Sequence, residues 1–178
     1  MAIDPVSILL ASIFLAWLFV TAGWHKVREP QHYIRVINAY DLPLLEGSQS
    51  LVWSIAGLEL VIAVALLMVW TRPYAALLAA VLLVIYGMAI GVNILRGKRD
   101  IDCGCSGPLG RQPLSGWLLW RNASLVLIAL YASSQMVVQS IGWFDWVVIL
   151  FGSLLAILLY QICERLLFNS HLLVRLRG

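Results

Sequence analysis

Charge is what this chain has least of. Asp, Glu, Lys and Arg make up 12% of its 178 residues, about half the roughly 25% of a water-soluble domain, and that shortage excludes an ordinary hydrated surface. Hydrophobic residues supply 62% and mean hydropathy is +0.91, so the implied solvent is lipid. Lys and Arg are missing from Met1 to Pro5, where Asp4 stands; a signal peptide opens on a positive segment, so the first apolar run is read as a retained span. The basic clusters lack the interleaved aromatics that grip single-stranded nucleic acid, which excludes a nucleic-acid surface. Internal repeats, low-complexity tracts and coiled-coil heptads are absent as well. Cysteine occurs three times, and only two of the three are clustered.

What is present is a set of five apolar stretches, each about long enough to cross a ~30 Å hydrocarbon core. They run from Val6 to Gly23, Leu51 to Trp70, Tyr74 to Leu95, Leu114 to Val138 and Trp143 to Leu167. The expected fold is an all-α integral membrane bundle of about five transmembrane helices, one domain over residues 1–178. After the first span, Tyr33, Val36, Ile37 and Tyr40 recur at helical spacing beside His32, Arg35 and Asn38, the pattern of a short amphipathic helix lying at the interface. Thr71-Arg72-Pro73 is short enough to force the second and third spans into an antiparallel hairpin. Trp53, Trp70, Trp117, Trp120, Trp143 and Trp146 fall near the span ends, where indole prefers the headgroup layer.

The basic residues at or beyond the span ends divide ten to one. Lys26, Arg28, Arg35, Arg96, Lys98, Arg99, Arg111, Arg165, Arg175 and Arg177 fall on one side of a five-span topology, and Arg72 alone on the other. By the positive-inside rule the N-terminus faces outside, and the loop from Arg96 to Gln112 lies on or near the cytoplasmic face.

That loop carries Asp102-Cys103-Gly104-Cys105-Ser106-Gly107-Pro108. A central glycine tolerates the sharp turn that brings two such thiols within disulfide reach, and the small strained ring that results is easily reduced, which suits exchange better than stapling. Arg96, Lys98 and Arg99 favour the thiolate while Asp100 and Asp102 oppose it. Cys103 and Cys105 are therefore the candidate catalytic pair. Two other readings stand beside this one. One is a pair of free cysteines in a glycine-rich turn; the other is a metal site, which needs about four ligands and would have to recruit Cys163, His25, His32 or His171. No metal site is expected. Cys163, at the cysteine-loop end of the fifth span, is either a resolving thiol or a small apolar residue.

Charges stand well inside the second and fourth spans. Glu59 and Arg121 each lie about eight residues in from the same face, ~12 Å deep at 1.5 Å per residue, and a lone charge there costs at least ~2.5 to 3.5 kcal/mol. They are expected to pair inside the bundle, with Asn93 and Asn122 completing a polar network. That network is either a packing device or a proton or quinone site. His25 and Lys26, at the end of the first span, read as snorkelling anchors.

These residues resemble the methylamine utilisation protein MauE family, within the DoxX-like group of small multi-span proteins. The resemblance is carried by Ala22-Gly23-Trp24-His25-Lys26 with Tyr40-Asp41-Leu42-Pro43, by Asn93 to Gly97 with Asp102 to Gly107, and by Arg121-Asn122 with Glu59. Ser106 stands where that family often has an aromatic residue. The resemblance covers most of the chain. It implies thiol and disulfide chemistry in the maturation of a periplasmic protein: for the namesake, the disulfide-rich small subunit of methylamine dehydrogenase, with a thioredoxin-like partner, MauD. No thioredoxin-like domain is present here, so such a partner is a separate chain.

A direct disulfide donor to periplasmic clients exposes its cysteines to the periplasm, whereas the charge count puts Cys103 and Cys105 on the other side. Either the topology departs from the charge count or the mechanism is a relay across the bundle, with reducing equivalents entering at Cys103 and Cys105 and a quinone as the candidate carrier. Two rival classes are a small-molecule transporter using Glu59 and Arg121, and a non-catalytic or quinone-binding subunit of a membrane redox complex.

Overall fold

The structure is a computed structural model, and it describes residues 4–41, 47–98, 101, 114–134 and 142–177, with side chains to Leu166 in the last segment. Six helices appear among the described residues, α1 (Pro5–Arg28), α2 (Pro30–Tyr40), α3 (Gln49–Leu67), α4 (Arg72–Leu95), α5 (Gly116–Ala132) and α6 (Trp143–Arg177). Four of them, α1, α3, α4 and α6, are long and apolar enough to cross a membrane, and α5 is a shorter apolar helix of 17 residues. The all-helical membrane bundle and the interfacial α2 are as the sequence implied.

Local chemistry sets the boundaries. Asp4 accepts the Val6 amide at 3.1 Å and Pro5 occupies the first turn, where its missing N–H costs nothing. At the other end α1 runs five residues past Gly23, because loss of hydropathy is not loss of helicity and nothing in His25-Lys26-Val27-Arg28 breaks a helix. Pro30 does: it disfavours helical backbone at Glu29 and starts α2. The α2 helix stops at Asp41, which takes a left-handed conformation at φ 49°, tolerated by a short polar side chain. The exit from α4 depends on Gly97 at φ 77°, with the Gly97 amide donating to Ile94 O and the Lys98 amide to Asn93 O, both at 3.0 Å. This is a Schellman turn, and its left-handed residue favours glycine.

α5 is shorter than the expected Leu114–Val138, since Ser115 begins it and Ser133 turns its hydroxyl back on Leu130 O at 2.7 Å. α6 is longer than expected and continues through the basic tail to Arg177.

α1 packs along α3, α5 and α6, and α4 packs on α3 and α5, so α1, α3, α4 and α5 close a ring with α6 laid against it. In lipid, helices associate through close packing rather than water exclusion, and the interior is accordingly rich in alanine. Phe14, Leu15 and Phe19 of α1 meet Ile62 and Leu66 of α3, Ala76, Ala79 and Leu83 of α4, and Leu125 and Ala129 of α5. Gly23 permits the close approach of α1 to α3: a Cβ there would lie 3.0 Å from Leu60 Cγ and 3.2 Å from Ala56 O. The end of the bundle that bears the cysteine loop has its own cluster of Tyr40, Ile90, Leu114 and Leu118.

Candidate functional site

The buried charges are paired, but in pairs the sequence did not reveal. Glu59 is fully buried on α3, and Lys26 of α1 donates to both its oxygens, at 2.8 Å and 2.9 Å. The Tyr86 hydroxyl of α4 adds a third donor to Oε1 at 2.7 Å. Lys26 Nζ also stands 5.2 Å from the Tyr33 ring centroid and 5.7 Å from that of Tyr86, within range of cation–π attraction. Four helices thus converge on one ammonium: α1 supplies it, α3 its counter-ion, and α2 and α4 its aromatic walls.

Arg121 does not pair with Glu59, contrary to the expectation. Its Nη1 donates to Glu164 Oε1 of α6 at 3.0 Å. The shared depth survives: a Cβ on Gly87 would lie 3.7 Å from Asn122 Cβ, which puts the Arg121-Asn122 step level with Tyr86 and hence with Glu59. One polar layer therefore crosses the bundle and holds two ion pairs that face different neighbours. Lys26 is a core residue of this layer, not the snorkelling anchor expected.

The two asparagines are buried, and each donates its amide one turn back along its own helix, Asn93 to Ala89 O at 3.0 Å and Asn122 to Leu118 O at 3.1 Å. Neither contacts Glu59 through these bonds; Asn93 Oδ1 is a buried acceptor without a donor.

Cys103 and Cys105 lie outside the described residues, but both roots of their loop are described. On the α4 side, Lys98 Nζ donates to Asp41 Oδ2 at 3.1 Å and Arg96 Nη1 to Asp41 O at 3.1 Å. The hydrogen bond and charge of Lys98, helped by the charge of Arg96, hold the exposed Asp41 carboxyl below its ordinary 3.8. On the α5 side, Leu114 and Leu118 pack with Tyr40. The last turn of α2 therefore fastens both ends of the loop. Cys163 is a free, exposed thiol on α6, beside Glu164. No group of three or more metal-ligating side chains occurs among the described residues.

Lys26, Tyr33, Tyr86 and Glu164 are the members that sequence reasoning missed. The signal available was electroneutrality: every charge at membrane depth needs a partner, and Glu164 lies inside the expected fifth span while Lys26 lies three residues beyond the first.

Comparison with known proteins is consistent with this arrangement. The family described as "Methylamine utilisation protein MauE" matches residues 4–135, a stretch containing α1 to α5, the Lys26–Glu59–Tyr86 cluster and the whole cysteine loop. The chain belongs to the MauE family. It is 34% identical to the methylamine utilization protein MauE of Paracoccus denitrificans over 128 residues, 72% of this chain and 69% of that one. The MauE of Methylorubrum extorquens is 34% identical over 126 residues, 71% and 68% of the two chains, and that of Methylophilus methylotrophus 33% over 138 residues, 74% and 70%. No solved structure matches. The MauE match ends near the last turn of α5, so α6, which brings Glu164 to Arg121, lies beyond it.

Proposed function

We propose that this chain serves methylamine utilisation as a membrane thiol–disulfide maturation factor, with Cys103 and Cys105 as the exchanging pair. The observation that carries the reading is the frame around the pair: the loop leaves α4 through a glycine turn tied to Asp41 and re-enters α5 against Tyr40. A reactive loop needs fixed roots if its thiols are to meet a partner in one geometry. In the exchange, one thiolate attacks a partner disulfide and forms a mixed disulfide. The second thiolate then displaces the partner, which leaves as a dithiol while the loop becomes the disulfide. The reverse sequence oxidises the partner.

The partner is a separate thioredoxin-like protein of the MauD kind, and the client a periplasmic protein such as the methylamine dehydrogenase small subunit. The N-terminus faces the periplasm of a bacterial inner membrane and the cysteine loop the cytoplasm; the charge asymmetry supports that orientation even with Lys26 removed from the count. Electrons then cross the bundle, with a quinone as the candidate carrier.

The transporter reading is weaker because Glu59 is already saturated: Lys26 and Tyr86 together supply three short donors to its two oxygens. A carboxylate so engaged is a poor substrate ligand and a good helix clamp. Replacing Cys103 and Cys105 together by Ser separates the two readings. Loss of client disulfides at unchanged protein level is expected; normal client oxidation would refute the thiol role.

A further inference from the structure

Arg72 breaks three physical rules at once. It is the single basic residue that the charge count places opposite the nine that remain once Lys26 is assigned to the core. It is the first residue of α4, so its positive charge adds to the positive end of a 24-residue helix, where an anion is favoured and a cation is not. And it is buried, 3% exposed, with Nη2 donating to Ser134 O at 3.2 Å while Nε and Nη1 have no hydrogen-bond partner. Taking a guanidinium out of water without a counter-ion costs several kcal/mol, and one carbonyl replaces only part of its hydration.

Among the described residues no carboxylate balances that charge. Two described acidic residues lie at this end of the bundle, and each is committed to its own backbone. Asp4 accepts the Val6 amide at 3.1 Å, and Asp145 accepts the Gly142 amide at 2.8 Å. The neighbourhood says where an external anion would come from. Trp70 and Tyr74 flank Arg72 in sequence and are 90% and 71% exposed, the belt that marks the headgroup layer of a bilayer. Phosphate is the oxyanion concentrated in that layer.

We propose that Arg72, in the positive field of the α4 N-terminus, forms a binding site for a phosphate group, supplied by an anionic phospholipid of the leaflet opposite the cysteine loop. The helix end and the guanidinium would then attract the same anion, and the three penalties become one purpose. Because Nε and Nη1 are shielded from solvent, a phosphate that reaches them is shielded too and leaves slowly. The complex survives detergent extraction.

Native mass spectrometry of the full chain, with thermal unfolding in neutral detergent, tests this on the wild type, Arg72→Gln and Arg72→Lys. Each is titrated with phosphatidylglycerol, phosphatidylcholine or inorganic phosphate. The expected result is retention of phosphatidylglycerol by the wild type and an apparent affinity at least ten-fold weaker in Arg72→Gln, with Arg72→Lys between them. Inorganic phosphate matching the lipid's effect assigns the site to free phosphate and overturns the lipid source. Equal phosphatidylglycerol binding by wild type and Arg72→Gln, or no preference over phosphatidylcholine, overturns the site and leaves Arg72 as a cap for the end of α5. Photocrosslinking of the wild type with a phosphatidylglycerol analogue does not depend on any variant folding. Labelling of the peptides around residues 70–75 or 131–134 is expected, and labelling confined to other segments overturns the proposal.

Discussion

Lys26 and Glu59 tie α1 to α3 by two hydrogen bonds, 2.8 Å and 2.9 Å long, at a depth where the carboxylate has no contact with solvent. A buried pair of this kind adds little net stability over an apolar substitute, but removing one partner strands the other. Lys26→Met or Glu59→Gln alone is therefore expected to destabilise the bundle by about 3 to 5 kcal/mol. The double variant recovers most of that loss. Thermal unfolding in detergent, analysed as a double-mutant cycle, measures it; additive losses would contradict the pairing. Tyr86→Phe removes one donor and should cost about 1 to 3 kcal/mol.

Close approach of α1 and α3 is the condition for that pair, and Gly23 provides it. The added methyl of Gly23→Ala would meet a backbone carbonyl at 3.2 Å as well as the Leu60 side chain, so the helices must separate. A loss of about 1 to 3 kcal/mol is expected. Gly152 is the control. There the nearest atom is the Leu10 Cδ1 methyl at 2.6 Å, the tip of a side chain that can rotate, and Gly152→Ala should cost less. Equal losses at the two positions would contradict the account.

The cysteine loop is fastened at its α4 root by Asp41, and this link depends on pH. Asp41 has its carboxyl lowered in the folded chain, first by the hydrogen bond from Lys98 and then by the Lys98 charge. A lowered folded value means the contribution is fully present above the ordinary 3.8 and is lost as pH falls through the folded value. The pair is exposed, so global stability should barely change. Protection of the Gly97 and Lys98 amides against hydrogen exchange, corrected for the intrinsic slowing of exchange in acid, is expected to fall as pH drops below 3.8 and through the lowered folded value, and Asp41→Asn should show the same weak protection at neutral pH. Unchanged exchange in Asp41→Asn would remove the clamp from the account.

Arg121–Glu164 is the second ion pair of the polar layer, and it joins α5 to α6. Along its span α6 exposes most of its side chains, Leu150, Phe151, Leu154, Leu155 and Leu158 among them, so few interior contacts hold it. Glu164→Gln should loosen α6 from α5, read as a broadened spin-label distance distribution between the two helices, while the Lys26–Glu59 layer stays intact. An unchanged distribution would show that packing against α1 alone places α6.

How much of this was legible in the sequence follows from what each feature depends on. Apolar run length depends on composition, so five helices, the hairpin at Arg72 and the amphipathic α2 could all be read directly. Partner choice depends on which face of each helix turns inward. Glu59 and Arg121 were recognisable as buried charges at one level, yet each turned to a different neighbour. Lys26 was missed because the first span was ended where hydropathy fell, at Gly23, while the helix itself runs on to Arg28 and carries the ammonium back against Glu59. Gly97 and Asp41 became meaningful only with backbone angles in hand, since their part in the loop root is a matter of left-handed conformation rather than chemistry.

The redox state of Cys103 and Cys105 in living cells tests the central claim most directly, read by trapping with a thiol-alkylating mass tag and gel shift. A cycling pair is expected: a mixture of dithiol and disulfide that shifts toward one form when the proposed thioredoxin-like partner is deleted. A pair that remains fully reduced, whether or not the partner is present, would contradict the account.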